Sequence, residues 1–421
     1  HFVRNDVLFR VIANEVKQSR ARRRSGARPF YPATRAVSAL LERRRLLFYT
    51  LRATESRHHG EQTVPKKIKT EEEALHEAIR MVAPGTPIRE AIAYILQAGT
   101  GAMLCFGEVN RLARLSEGGV ELSVEMRPQL LYELSKMDGA IILNEKATRI
   151  YYANRFMKPN ARIPSEETGT RHRVAQRIAS QAKCTVVTVS QRRASVTVFC
   201  HGRKYQMPTV QVTVNKAIQG IQTVERYVQS LQQALQELTM HEMGDWVNLP
   251  DVCRVLQRCE MVERTCRREV LPAIEELGEE GRLFALQVTE LLKPVEEARL
   301  VVKDYARDRS AESVVDRIRA LSDTDLLSSA AVSQALGFGA GARGLEMVLV
   351  PRGYRVLSMM SRLSDAIVKN LVERFGTLSA LMRASKEQLV EVEGVGEVMA
   401  ERLRSGLEFL RTQLNMDNRK Q

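Results

Sequence analysis

From about residue 70 the apolar positions fall into regular spacings. Glu71–Val82 has helical character and runs into Ala83-Pro84-Gly85, a turn. Thr86 then reads as an N-cap with Pro87 at the first helical position, and the helix that follows reaches Gln97 and stops at Gly99-Thr100-Gly101. Short runs rich in Val, Ile, Tyr and Thr come next. Ala102–Phe106, Gly139–Leu143, Arg149–Ala153, Cys184–Val189 and Ser195–Cys200 each read as a strand. Helices intervene over Pro128–Met137 and Arg171–Lys183, the second with Val174, Ile178 and Ala182 on one face. Strands mixed with helices over residues 69–207 predict a single α/β domain. Past Met207 the strand signal fades, and residues 210–335 read as successive helices with breaks near Gly244, Leu249-Pro250 and Gly278–Gly281. This predicts an all-α spine over residues 208–345. A glycine-rich linker, Gly337–Gly344, precedes Pro351-Arg352-Gly353-Tyr354, and residues 346–421 form a last helical domain interrupted by Gly376 and Gly394-Val395-Gly396.

Composition adds bounds to this picture. A chain of 421 residues that is 44% hydrophobic is expected to fold into two to four domains. It contains no run of about 18 apolar residues, so no membrane-spanning helix is expected. The net charge of +14 suggests nucleic acid until it is located: residues 1–60 hold 13 Arg and 1 Lys against 4 acidic residues, which is +10. The other 361 residues carry only +4, so the basicity says little about the folded body. Residues 1–68 are read as a basic extension, expected to be a disordered tail, a targeting segment or non-native sequence, with a functional Arg-rich arm as the alternative. They start at His1 and hold Arg22-Arg23-Arg24 and Arg43-Arg44-Arg45, without the apolar region of a secretory signal. Six cysteines, at 105, 184, 200, 253, 259 and 266, lack the paired spacing of a zinc site; buried, reduced thiols in a cytoplasmic protein are expected.

Two short motifs carry candidate chemistry. Thr168-Gly169-Thr170-Arg171-His172-Arg173 opens a helix. Small residues at a helix N-terminus leave N–H groups free for an anion, and the helix dipole favours negative charge there. Two arginines in that first turn are unfavourable without an anion, and their planar forks suit phosphate oxygens. Met137-Asp138-Gly139-Ala140 lies where a helix meets an apolar strand, and a carboxylate there could hold a divalent cation beside a phosphate. Taken singly, each has a plainer reading: a capped surface helix with solvated arginines, and an ordinary Asp-Gly turn. Near the C-terminus, Leu389–Leu403 reads as a helix, a Gly394-Val395-Gly396 turn and a new helix that begins with Val398, Ala400 and Leu403, which resembles a helix-hairpin-helix. Such a turn offers N–H groups to DNA phosphate without reading sequence. Leu363–Gly376 is a candidate for a degenerate second hairpin. Residues 351–421 carry 12 Lys and Arg against 9 acidic residues, which suits modest, salt-sensitive binding. A helical interaction domain with a glycine turn fits the same pattern.

Together and in this order, the two motifs resemble those of the diadenylate cyclase family, whose Asp-Gly-Ala and Arg-His-Arg motifs are present here as Asp138–Ala140 and Arg171–Arg173. Leu130–Met137, Ile150–Asn154 and Ser165–Arg173 are similar to the family as well. The order of cyclase, helical spine and C-terminal helix-hairpin-helix resembles the DNA-integrity-scanning members of that family, over roughly residues 70–415. The resemblance implies a mixed central sheet and two cyclase domains meeting face to face, each holding one ATP. The 3′-hydroxyl of each ATP attacks the α-phosphate of the other, giving cyclic di-AMP and two pyrophosphates. It implies that Asp138 binds Mg²⁺ or Mn²⁺ and helps activate the hydroxyl, and that Gly139, followed by Ala140, contacts the nucleotide through its backbone. Thr168, Gly169, Thr170, Arg171, His172, Arg173 and Val174 would hold the triphosphate, Met157 would flank the adenine, and Ser190 is a weaker phosphate contact. Gly394, Val395, Gly396 and Glu397 would touch DNA of branched shape, in a homo-octamer with the cyclase domains at its centre. Two other classes remain open: a structural DNA-binding protein with an ATP-sensing domain, and a mononucleotide cyclase making cyclic AMP.

Other signals are set aside. The string 339–344 matches a dinucleotide fingerprint but follows a helical region instead of a strand, so a linker is expected. The seven histidines show no ligand spacing, and Trp246 is expected to pack between spine helices.

Overall fold

The computed structural model describes residues 70–307, 310–339, 347–360 and 363–417, with side chains as far as 412. The expected extension over residues 1–68 and most of the 339–344 string lie outside the described residues.

The first helix, α1 (Glu71–Met81), starts from a capping box in which the Thr70 hydroxyl accepts from Glu73 N and the Glu73 carboxylate accepts from Thr70 N. Thr86 caps α2 (Pro87–Gln97), with proline in its first turn. Then follow β1 (Ala102–Phe106), α3 (Val109–Arg114), β2 (Ser116–Glu117), β3 (Val120–Glu125), α4 (Pro128–Ser135), β4 (Ala140–Leu143), β5 (Arg149–Met157), α5 (Thr170–Ala182), β6 (Thr185–Ser190), β7 (Ser195–Cys200) and β8 (Arg203–Met207). The strands form one eight-stranded sheet in the order β2-β5-β4-β1-β6-β7-β8, with β3 also on β5. β1 runs parallel to β4 and antiparallel to β6, so the sheet is mixed, as expected.

Both faces of this sheet are covered, which is why its central strands β1 and β4 are apolar throughout and show no alternation. Met103, Cys105, Ala140, Ile142 and Val186 pack under Ala175, Ile178, Ala179 and Ala182 of α5. Leu104, Phe106, Ile141, Leu143, Val187 and Val189 point the other way, onto Ile88, Ile92 and Ile95 of α2 and Leu131 of α4. β2, β3 and β8 escaped the sequence reading because they are polar and largely exposed, so they lack the apolar pattern. β5 runs four residues beyond the expected Ala153; its extension pairs with β2, and Arg155 donates to the carbonyls of Ala113 (3.1 Å) and Ser116 (2.9 Å).

The spine opens with α6 (Val210–Gly244), 35 residues and about 52 Å long, capped by Thr209. The break expected near Leu249-Pro250 falls between Gly244 and Leu249: Asn248 caps α7 (Leu249–Thr265), and proline is tolerated in its first turn because its missing N–H would have no partner there. A π-turn, Cys266–Val270, leads into α8 (Leu271–Leu277) and a 3₁₀ turn, Gly278–Gly281. α9 (Arg282–Leu291), α10 (Lys293–Tyr305), α11 (Ala311–Ala320), α12 (Asp323–Leu326) and α13 (Ser329–Leu336) complete the bundle. The two-residue strand β9 (Val247–Asn248) pairs with β10 (Val348–Leu349) where the chain leaves the spine. Trp246 does not pack between spine helices: it is 52% exposed, and its ring lies on His241 with centroids 3.9 Å apart. The turn that follows Gly244 carries the indole outward.

The last domain comprises α14 (Tyr354–Ser358), α15 (Asp365–Phe375), α16 (Leu378–Arg383), α17 (Lys386–Val390) and α18 (Glu397–Asp417), closed around Leu357, Leu371, Leu378, Leu389, Ala400 and Leu403. Leu363–Gly376 is not a hairpin in itself. Ser364 caps α15 and Gly376, at φ +74°, ends it, so the stretch is one helix whose upstream neighbour is α14. All six cysteines are free and buried, and burial pushes the Cys184, Cys253 and Cys266 thiols up to about 12, which makes them inert packing groups.

Candidate nucleotide site and DNA-binding turn

The sheet topology brings the two sequence motifs to one end of three adjacent strands. Ala140, at the start of β4, is paired with Met103 on β1, and Ala102 is paired with Val189 on β6. Gly139, Gly101 and Ser190 therefore arrive at the same edge. α5 then lays Arg171 across it: a Cβ at Gly101 would collide with Arg171 Nη1, and would sit 3.1 Å from the Val189 carbonyl. The guanidinium thus covers the end of β1, between Asp138-Gly139 on one side and Ser190 on the other.

Gly139 is required twice over. Its φ is +99°, in the left-handed region, and a Cβ would stand 2.9 Å from the carbonyl oxygen of Arg155. Gly139→Ala is therefore expected to cost about 1–3 kcal/mol and to displace Asp138. Thermal unfolding and turnover together check this, and an unchanged melting temperature would remove the strain argument. Asp138 itself is exposed and makes no hydrogen bond or ion pair among the described residues, so its carboxylate is free for a ligand.

The mouth of α5 is open. Its N-cap is Gly169 with no side-chain cap, whereas Thr70, Thr86 and Thr209 each give a hydroxyl to the third N–H of their helices. No acidic residue lies in its first turn, so the free donors, the dipole and Arg171 meet no carboxylate of the helix itself, and Glu167 just upstream is paired with Lys204. Arg173 is partly committed: it donates to the carbonyls of Glu167 (3.1 Å) and Thr168 (3.2 Å), folding the preceding loop back onto the helix. Arg177, bonded to the Ile163 carbonyl at 2.8 Å, and Gln181, which accepts from Asn160 N at 2.8 Å, strap the same loop along α5.

His172 is half-buried, edge-on to Phe199 at 6.3 Å. Burial lowers its pKa first; Glu167 opposes, and Lys204, Arg171 and Arg193 push it further down. The folded protein thus favours the neutral imidazole more than the unfolded chain does. Between the lowered folded value and the unfolded 6.5 the unfolded state binds more protons, so stability falls as pH drops through that window. Urea unfolding at pH 7.5 and pH 5.5 is expected to show a smaller acid loss in His172→Gln than in the wild type.

Other expected contacts fall less simply. Ser190 sits at the edge, and its hydroxyl accepts from Arg193 N at 3.4 Å. Val174 packs partly buried against the cluster beneath α5. Met157, expected beside the base, is only 4% exposed and belongs to that same cluster. Arg193 and Lys204, which the sequence reading passed over, both face His172; the one local signal was Arg192-Arg193 in the β6–β7 turn. Among the described residues no group of three or more His, Cys, Asp or Glu could hold a metal.

In the C-terminal domain, Gly394 (φ +88°) lets the chain turn against Ile367, Val395 is buried as the anchor of the turn, and Gly396 accepts the Ala400 N–H (2.9 Å) at the start of α18. Asn370 of α15 donates to the Glu393 carbonyl at 3.1 Å, fixing the turn at the domain surface.

These features define a nucleotide-binding α/β domain joined through a helical spine to a helix-hairpin-helix domain. Residues 89–204 match the family described as "DisA bacterial checkpoint controller nucleotide-binding", residues 207–345 match "DisA bacterial checkpoint controller linker region", and residues 365–416 match "Helix-hairpin-helix motif". The chain is 44% identical over 342 residues to the "DNA integrity scanning protein DisA" of Carboxydothermus hydrogenoformans, covering 80% of this chain and 97% of that protein. It is 40% identical over 355 residues to the protein of that name from Acetivibrio thermocellus, and 39% identical over 355 residues to the one from Bacillus subtilis, covering 84% of this chain and 98% of each relative. The chain belongs to the DisA family, and its nucleotide-binding domain makes it a diadenylate cyclase, a nucleotidyltransferase. No helix among the described residues is long and apolar enough to cross a membrane.

Proposed function

We propose that this protein condenses two ATP into cyclic di-AMP and two pyrophosphates, with residues 69–207 as the cyclase, 208–345 as the spine and 346–421 as the DNA-binding domain. The observation that supports the reaction is the uncapped mouth of α5 with Arg171 lying over the end of β1 beside Asp138-Gly139. That edge suits a triphosphate: free N–H groups and the forks of Arg171 and Arg173 neutralise the phosphates, while Thr168, Gly169, Thr170, His172 and Val174 shape the turn. Ser190, with Arg193 beside it, closes the far side. Met157 and Ala140 are buried in the cluster beneath α5 and would act on the base only by supporting the strands that carry the site.

One carboxylate is a thin metal site by itself, yet it fits the divalent ion that the family implies, because Mg²⁺ or Mn²⁺ commonly takes one or two carboxylates plus substrate phosphate oxygens. Asp138 would hold that ion, which when bound screens phosphate charge and acidifies the attacking hydroxyl. Transfer at phosphorus needs alignment and charge neutralisation more than a protein nucleophile. A second copy of the domain, facing the first, supplies the second ATP, so two equal reactions come from one site design. The full assembly is proposed to be a homo-octamer with cyclase domains inside and helix-hairpin-helix domains outside; the pairing itself requires only two copies. The Gly394–Glu397 turn would grip the phosphates of branched DNA, and such DNA would lower cyclase output by disturbing the pairing.

The deciding experiment is incubation of the purified protein with ATP and Mg²⁺ or Mn²⁺, followed by mass identification of the product. Cyclic di-AMP is expected. Cyclic AMP, or ATP bound without turnover, would overturn the reading, the second in favour of an ATP-sensing DNA-binding protein.

A further inference from the structure

The two ends of the spine are joined to their domains in very different ways. At the C-terminal end, Arg355 is fully buried. It pairs with Glu242, also fully buried in its side chain, and donates to Glu297 (2.7 Å) and to the Thr239 hydroxyl (2.9 Å). Tyr305 donates to Glu242 as well, at 2.7 Å. Asp304, at the end of α10, accepts the N–H groups of Gly353 (2.8 Å), Tyr354 (2.7 Å) and Arg355 (2.9 Å), and so caps α14 from the spine. Arg352 donates to the carbonyls of Lys303 (2.8 Å) and Ala306 (3.0 Å), and Met243 of α6 enters the core of the C-terminal domain. Two spine helices therefore hold one short helix, and Arg355, Glu242, Asp304 and Tyr305 do so with no water to turn to.

At the cyclase end the joint lies between the α1–α2 turn and the α8–Gly281 segment. Its side-chain contact, His76 Nδ1 with a Glu275 carboxylate oxygen at 3.1 Å, leaves both side chains about two-fifths exposed (40% and 42%). One backbone bond crosses it, from Glu279 N to the Pro84 carbonyl at 3.1 Å, and Tyr205 bonds Glu276 at its margin. A cavity of about 300 Å³ opens between the two sides, lined by Arg80, Pro84, Gly85, Ile274, Gly278 and Glu279. Gly85 and Gly278, at φ +88° and +53°, stand on either side of this contact. Solvated pairs exchange readily with water, whereas a buried charge cluster cannot open without stranding a charge.

We infer that the spine is jointed unequally: the helix-hairpin-helix domain is fixed to it by the Arg355–Glu242–Asp304 cluster, and the cyclase domain swings about the Gly85–Gly278 contact. DNA held at the far end then acts on the cyclase as a lever acts on a hinge, and the turning is taken up where it changes how two cyclase domains meet. The DNA part of this inference rests on the proposed function; the inequality of the joints does not.

Spin-label distances on the full chain test it. Ala93→Cys with Gln236→Cys spans the cyclase joint, and Gln236→Cys with Ser405→Cys spans the other; all three labelled positions are exposed and the native cysteines are buried. Labelled protein is diluted into unlabelled protein so that only pairs within one chain are read. In free protein the cyclase-joint distribution is expected to be about twice as broad as the other. A four-way junction should shift its mean and leave the second pair in place. Asp304→Asn should broaden the second pair alone. Equal widths, or a broader second pair, would overturn the inference. If the junction does not bind, or binds without lowering product, the regulatory reading falls while the two widths still decide the hinge.

Discussion

Asp138→Asn is expected to remove at least about 10³-fold of the cyclase activity, in line with losing a positioned base and a metal ligand together, while leaving the fold and nucleotide affinity nearly intact. The carboxylate is exposed and has no protein partner among the described residues, so no internal hydrogen bond or ion pair is lost. Exposed substitutions of this kind stay within about 0.5 kcal/mol, so hydrogen exchange within the cyclase domain should be unchanged. Asn keeps the shape of Asp and one acceptor oxygen, so a nucleotide already held by the α5 mouth and Arg171 still binds. The charge is what is missing, and charge is what holds a cation against phosphate. Turnover measured by product chromatography, with nucleotide binding measured separately, distinguishes the two effects. Product at wild-type level would remove Asp138 from the site; lost binding with lost product would make it a structural residue.

The second large effect lies far from the chemistry. Arg355→Met is expected to destabilise the C-terminal domain by about 3–5 kcal/mol, because it leaves Glu242 charged, buried and bonded only to Tyr305. Arg268→Met, whose guanidinium pairs with the exposed Asp323 at 3.1 Å, should by contrast cost no more than about 1 kcal/mol. Unfolding of a chain with several domains is not one transition. The effect should therefore be read from hydrogen exchange in α15 and α18, not from a single melting temperature. Adding Glu242→Leu to Arg355→Met should restore part of the loss, since an apolar pair of similar volume replaces a buried ion pair with little penalty. Failure of the double variant to recover any protection would mean that the cluster matters through Asp304 and Glu297 instead.

The contrast between these variants follows the line between what local pattern encodes and what it does not. Thr86-Pro87 announced α2, and Ala102–Phe106 and Ser195–Cys200 ended where expected, because caps and doubly buried strands leave a mark in the residues themselves. β3, with its largely exposed pattern, left no such mark; it is held by pairing with β5 and not by its own apolarity. Leu249-Pro250 marked a break without saying on which side the helix lies, and Asn248 as a cap puts the proline in the first turn of α7.

The residues alone determined the kinds of group available: an Asp-Gly step before an apolar strand, a small-residue turn with arginines at a helix mouth, and a glycine hairpin near the C-terminus. Local chemistry sets those, since each needs only its neighbours in the chain. Tertiary structure decided that β1 lies between β4 and β6, so that Arg171 covers Gly101 beside Gly139, and that Arg355 is buried against Glu242 and Glu297. Adjacency of this sort comes from strand pairing and helix packing across long stretches of chain, and no periodicity within a segment specifies which distant segment will meet it.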